Sequence, residues 1–188
     1  MKGIDVSFFN GDIDWQAVKN AHIKFAVCRC SYGKKHFDET FYKNVTGAHN
    51  AGLICGAYHY SYALTPADAR QEAQYVKWLI NSTGLLLELP IFFDMEDADN
   101  FKHYHNFDFS KKNITAICKA FISELQPLNC GVYASYSWLE NLIDWKSLNC
   151  PIWNAQWSNS DFFKGYLWQF TDRLEIGGKY FDGDFLYD

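Results

Sequence analysis

The apolar residues of this chain follow two periods in turn. Short apolar runs recur at 3–7 ("GIDVS"), 24–30 ("KFAVCRC"), 53–61 ("LICGAYHYS"), 90–96 ("PIFFDME"), 130–135 ("CGVYAS"), 151–157 ("PIWNAQW"), 166–170 ("YLWQF") and 179–185 ("KYFDGDF"). Each reads as a strand. Between the early runs the spacing turns helical. Asp38 is placed to cap a helix through Phe41, Val45 and Ala48 that Gly52 closes. Thr65, Pro66 and Asp68 have the order of a capped helix start, and Ala69, Ala73, Val76 and Ile80 form its apolar face. Ser110 starts another helix through Ile114, Ile117, Cys118, Phe121 and Leu125, and a shorter one is expected over 136–143.

The first part therefore reads β-α-β-α-β-α-β, the signature of a parallel sheet, and the last third is strand-rich. Eight strand candidates suggest a closed barrel, yet a full (β/α)8 barrel takes about 250 residues. With 188 residues, the expected fold is α/β: a shortened, irregular TIM-like barrel of about eight strands with few helices in its C-terminal half. No linker or repeat divides it, so 1–188 is read as one domain.

Carboxylates interrupt this pattern. The run Ile91-Phe92-Phe93 leads into Asp94, Glu96 and Asp97. Burying an unpaired charge costs several kcal/mol or forces protonation, so acids at a buried strand end need a task. Alternation puts Asp94 and Glu96 on one face and Met95 on the other. Strand C-termini are where parallel barrels build their sites. Asp97 and Asp99 read as a solvated loop. Asp5 sits between Ile4 and Val6 in the first strand, Asp182 lies in the last, and closure brings those strands together. Clustered acids raise at least one pKa, as a general acid requires. Tyr58, Tyr60, Tyr133 and Trp153 are candidates to meet a ligand, and Gln169 is a candidate polar contact.

Composition narrows the chemistry. Aromatic residues make up 19%, which suits sugar or peptide ligands. The net charge of −5 argues against nucleic acid, and no apolar run is long enough for a membrane. The six cysteines form no Cys-x-x-Cys pair and read as reduced core thiols of a chain made in the cytoplasm. "MKGIDVSFFN" has no apolar signal-peptide core, so the three Asn-x-Thr sequons carry no weight. Paired carboxylates, many aromatic residues and no evident nucleophilic Ser or Cys point to glycoside hydrolysis.

Seven segments occur in the order found in the family-25 glycoside hydrolases: "GIDVSFFNGDIDW" (3–15), "GAYHYSYA" (56–63), "IFFDMED" (91–97), "GVYAS" (131–135), "PIWNAQW" (151–157), "LWQFTD" (167–172) and "FDGDF" (181–185). The chain thus resembles the Chalaropsis-type lysozymes, common as phage endolysins and bacterial autolysins. The resemblance implies a flattened barrel and cleavage of the β-1,4 bond between N-acetylmuramic acid and N-acetylglucosamine in peptidoglycan. It implies Glu96 as proton donor and Asp94 as the group that stabilises charge at the reacting sugar, with Asp5 and Asp182 as the family's first- and last-strand acids. The family usually ends Asp-x-Asn; here Asp184 stands in the Asn position and adds a possible negative charge at the mouth.

Two mechanisms stay open. Asp94 stabilises the anomeric carbon directly, or it steadies an oxazolinium-like ion formed by the substrate's own N-acetyl oxygen. No cofactor or metal is expected. A metal-dependent alternative would use His59 with Asp94 and Glu96, and "HYH" (103–105) reads as an exposed loop. A catalytically silent sugar-binding barrel is the other alternative. The expected partner is bacterial peptidoglycan, met by a monomer after holin-mediated or lytic release. No wall-binding module is visible before Asp188.

Overall fold

The computed structural model describes residues 1–187; Asp188, the last residue of the expected domain, lies outside them. The chain runs through β1 (Lys2–Val6), α1 (Trp15–Asn20), β2 (Phe25–Tyr32), β3 (His36–Phe37), α2 (Phe41–Asn50), β4 (Ile54–Tyr60) and α3 (Pro66–Thr83). It continues through β5 (Ile91–Asp94), α4 (Phe101–Tyr104), α5 (Lys111–Leu125), β6 (Cys130–Ser135), α6 (Tyr136–Asn141), β7 (Ile152–Ala155), β8 (Leu167–Ile176) and β9 (Lys179–Leu186). Strands β1, β2 and β4 to β9 close a ring. Neighbours are parallel from β1 round to β8, and β9 runs antiparallel to both β8 and β1. The flattened TIM-like barrel with few C-terminal helices is the observed fold.

Strand alternation sorts the core into two layers. Ile4, Val6, Cys28, Phe93 and Met95 pack outward under the helices, against residues such as Val45, Ile117 and Phe121. Phe25, Val27, Phe92, Leu167 and Leu186 point inward and fill the foot of the barrel. Two inward positions there are glycine for lack of room. A Cβ at Gly3 would lie 2.3 Å from the Phe25 ring, and one at Gly131 would lie 2.6 Å from both Phe92 and the Pro151 carbonyl. The foot is thus solid, and inward residues nearer the strand C-termini are left to shape a site.

Local signals explain most element ends. Thr65 and Asp68 form a capping box on α3, and Gly84 closes it in the left-handed region at φ 64°. Ser110 caps α5. Four expectations need correcting. Helix α1 was not anticipated; it is only six residues long and hangs on Asp14, which accepts from Gln16 N and Ala17 N. Asp38 does not cap α2. Its carboxylate accepts instead from Arg29 Nε, Phe8 N, Thr40 N and Thr40 Oγ1, because a buried guanidinium outbids a helix end. The strand "YLWQF" continues past Phe170 to Ile176 and turns through Gly177 and Gly178 into β9. The acid-tipped strand stops at Asp94, so Glu96 stands just beyond it.

Candidate active site

The C-terminal ends of the parallel strands surround a cleft of about 560 Å³. Asp5 of β1, Asp94 of β5, Glu96 and Asp182 of β9 all line it. Asp5 and Asp182 are direct cross-strand partners in the β1–β9 register. Met95 is fully buried on the opposite face from its two acidic neighbours.

Burial dominates the electrostatics. It pushes the Glu96 carboxyl up to about 7, against the pull of Lys102 and with the help of Asp182. It raises Asp94 well above the usual carboxylate range, reinforced by Glu96 and opposed by Lys102 and Arg29. Asp182 is pushed to about 6 by burial and then by Asp172. Asp5 is raised by burial and by its neighbours Asp184 and Asp182. The Lys102 ammonium lies beneath the cleft floor and is 1% exposed; it donates to Glu96 O at 2.6 Å and Ser61 O at 2.5 Å. Asp94 Oδ1 is buried and has no hydrogen-bond partner among the described residues.

Tyr58, Tyr60, Tyr133, Trp153 and Gln169 all line the cleft. Their surfaces are used differently. Trp153 is 1% exposed and wedged edge-on between Tyr58, Tyr133 and Phe92, so it props the wall rather than offering a ring face. Its indole donates to Asp184 Oδ1 at 2.9 Å. Gln169 Nε2 donates to Asp5 Oδ2 at 2.8 Å, and Gln169 Oε1 accepts from Tyr133 Oη and Trp157 Nε1, each at 3.1 Å. Tyr60 is partly exposed at the rim.

Several expectations change here. Asp99 is the exposed turn acid expected, but it also lines the cleft, where it accepts from Tyr62 Oη at 2.7 Å and Tyr60 Oη at 3.4 Å. Asp97 accepts from Lys102 N and His103 N and so holds α4. Asp184 brings no charge to the mouth; it is wholly buried, and burial pushes it up to about 8. His59 faces outward onto Ser31 Oγ (2.8 Å) and Glu72 Oε2 (3.3 Å), because alternation turns it away from its neighbours Tyr58 and Tyr60. It cannot join Asp94 and Glu96 on a metal. His103 and His105 are exposed as expected; His105 lies in the turn after α4, whereas His103 lies on that helix rather than in a loop.

The cleft also holds residues that were not anticipated. Arg29 lines it, and its guanidinium lies 4.8 Å from the Phe8 ring, 5.2 Å from Phe9 and 5.3 Å from Tyr32. The signal was present: a charge within "KFAVCRC", on the inward face of Phe25 and Val27, is as conspicuous as Asp5 in its own strand. Lys102 gives no such signal, because it reaches the site from a helix after the strand.

Comparison with known proteins finds one family. The model of "Glycosyl hydrolases family 25" matches residues 4–179. Lysozyme M1 of Streptomyces globisporus is 28% identical, over 98% of this chain and 66% of that protein. An autolytic lysozyme of Clostridium acetobutylicum is 25% identical, over 95% of this chain and 52% of that protein. The chain therefore spans between about half and two thirds of the length of these relatives. A crystal structure of a bacterial lysozyme from Streptomyces coelicolor superposes with a TM-score of 0.81 at 25% identity, over 100% of this chain and 92% of that one.

Proposed function

The chain belongs to glycosyl hydrolase family 25, and from that premise we propose that it cleaves the β-1,4 bond between N-acetylmuramic acid and N-acetylglucosamine in peptidoglycan. Glu96 is the general acid that protonates the glycosidic oxygen. Its carboxyl, pushed to about 7, carries the reading: it keeps a proton near neutral pH and can give it up. Asp94 acts on the charge that develops at the sugar, either at the anomeric carbon or through the substrate's N-acetyl group. Its unpartnered Oδ1 supports such a contact. Asp5 and Asp182 set protonation and hydrogen bonding. Tyr58, Tyr60, Tyr133, Trp153 and Gln169 shape or contact the substrate. In this reading the chain acts as a monomer, without metal or cofactor, and reaches the wall by holin-mediated or lytic release.

The test is Glu96→Gln on purified cell walls. Release of reducing sugar should fall by about 10²–10⁴-fold. Wild-type release would sink the assignment. Products of the wild type should carry muramic acid at their reducing ends; glucosamine there would make the enzyme a glucosaminidase instead.

A further inference from the structure

One acid behind the cleft wall has no part in the chemistry above. Asp184 is fully buried and, unlike Asp182, does not line the cleft. Its Oδ1 takes the Trp153 indole N–H. Its Oδ2 has no N–H or O–H donor among the described residues. Yet the Asp5 carboxyl is its diagonal cross-strand neighbour on the same face, since Asp5 pairs with Asp182 and Gly3 with Asp184 in the β1–β9 register. Two carboxylate ions at that range in a dry interior repel, whereas one proton between them makes a hydrogen bond and leaves a single charge.

The surroundings supply no other remedy. The pair faces Asp182 on β9, Gln169 on β8, Trp153 on β7, and the phenols of Tyr133 on β6 and Tyr58 on β4. None of these is a cation. The two charged groups acting on Asp184 are Asp5 and Asp182, both acids.

We propose that Asp184 and Asp5 share a single proton, and that Asp184 is thereby a positioning residue for the cleft. The shared proton lets Asp5 stay against Asp184 while its Oδ2 takes Gln169 Nε2. That contact fixes which way the Gln169 amide points, so Oε1 is presented to Tyr133 and Trp157. The other end of the pair holds Trp153. One proton thus sets the polarity of a network that reaches Tyr133 and Trp153 in the cleft lining and Trp157 beside it. The rise of Asp184 to about 8, caused first by burial, agrees with this geometry.

The test compares wild type with Asp184→Asn and Asp184→Leu. Asn supplies an N–H in place of the shared proton; Leu supplies nothing. A folded-state pKa above the ordinary ~3.9 means the folded chain binds the extra proton, so wild-type stability should fall as pH rises toward about 8. The unfolding midpoint of Asp184→Asn should fall less between about pH 5 and about pH 8. Its activity near pH 6 should stay within about twofold of wild type while Asp184→Leu loses more than about tenfold. Above about pH 8 wild-type kcat/KM should fall about a hundredfold per pH unit, as Glu96 and the pair both lose protons, and that of Asp184→Asn about tenfold.

The activity readouts rest on the proposed hydrolase reading, whereas the unfolding profile does not. If Asp184→Asn does not fold, carboxyl 13C NMR of the wild type decides: the resonance assigned to Asp184 should titrate near 8 rather than near ~3.9. Parallel unfolding profiles for wild type and Asp184→Asn would overturn the proposal, as would an Asp184 resonance that titrates near the ordinary ~3.9.

Discussion

Two groups of acids face each other across the cleft, and the same burial handles them differently. Asp94 and Glu96, at the end of β5, have cations near: Lys102 beneath them and Arg29 beside Asp94. Asp5 and Asp182, with Asp184 buried behind them, have only acids, one another and Asp172, and neutral donors. On the first side a fixed positive charge tempers the effect of burial, which suits a group that must release its proton. On the second side no cation answers burial, and in the proposed reading Asp5 and Asp184 offset it with a shared proton, which suits groups that hold a shape. Residue type alone does not assign the role; what stands behind the carboxyl does.

That contrast is open to attack. The largest expected effect is at Glu96. Glu96→Gln should lose about 10²–10⁴-fold in kcat, and Asp182→Asn much less. Equal losses would dissolve the distinction. Because the Glu96 carboxyl sits at about 7 when folded and near ~4.3 when unfolded, folding takes up a proton between those values, and stability from this group is lost as pH rises through them. Glu96→Gln should therefore unfold at a higher temperature than wild type at pH 7, measured calorimetrically.

Next in size are opposed movements of the pH profile. Removing the Lys102 charge in Lys102→Met should carry the alkaline limb of kcat/KM above about 7, because the cation holds Glu96 down. Asp182→Asn should carry it below, because that acid holds Glu96 up. Movement of both limbs in the same direction would break the electrostatic account. Lys102→Met should also cost about 1–3 kcal/mol in denaturant titration, since the carbonyls of Ser61 and Glu96 lose their buried donor. The smallest effect is at the rim. Tyr62→Phe removes one hydrogen bond to Asp99 and should cost about 0.5–1.5 kcal/mol, with KM rising only a few-fold and kcat unchanged.

Much of this was readable from two-residue alternation. Asp5 between Ile4 and Val6, and Asp94 and Glu96 astride Met95, point inward for reasons local to each strand. Barrel closure then joins Asp5 to Asp182. What escaped the sequence depended on distant geometry. Asp97 and Asp99 look alike in "DMEDADN", but one meets the amides of α4 and the other meets Tyr62. Lys102 becomes a neighbour of Glu96 only when α4 folds back. Asp38 has a helix starting beside it, yet one of its oxygens turns to Arg29, nine residues earlier, and to Phe8, and the other to Thr40. The position of Asp184 was legible, but its burial behind Trp153 was not.

The packed foot of the barrel has a last consequence. Phe25 against Gly3 and Phe92 against Gly131 stop the bore with rings, so among the described residues the cleft opens at the mouth and does not run through the barrel as a corridor. A long polymer cannot be threaded through it end first. It has to be laid across the mouth, gripped somewhere along its length, and both cut ends must leave the way the strand came in. On the proposed reading, shortening of glycan strands should start from interior bonds, and each cut should end with the enzyme letting go.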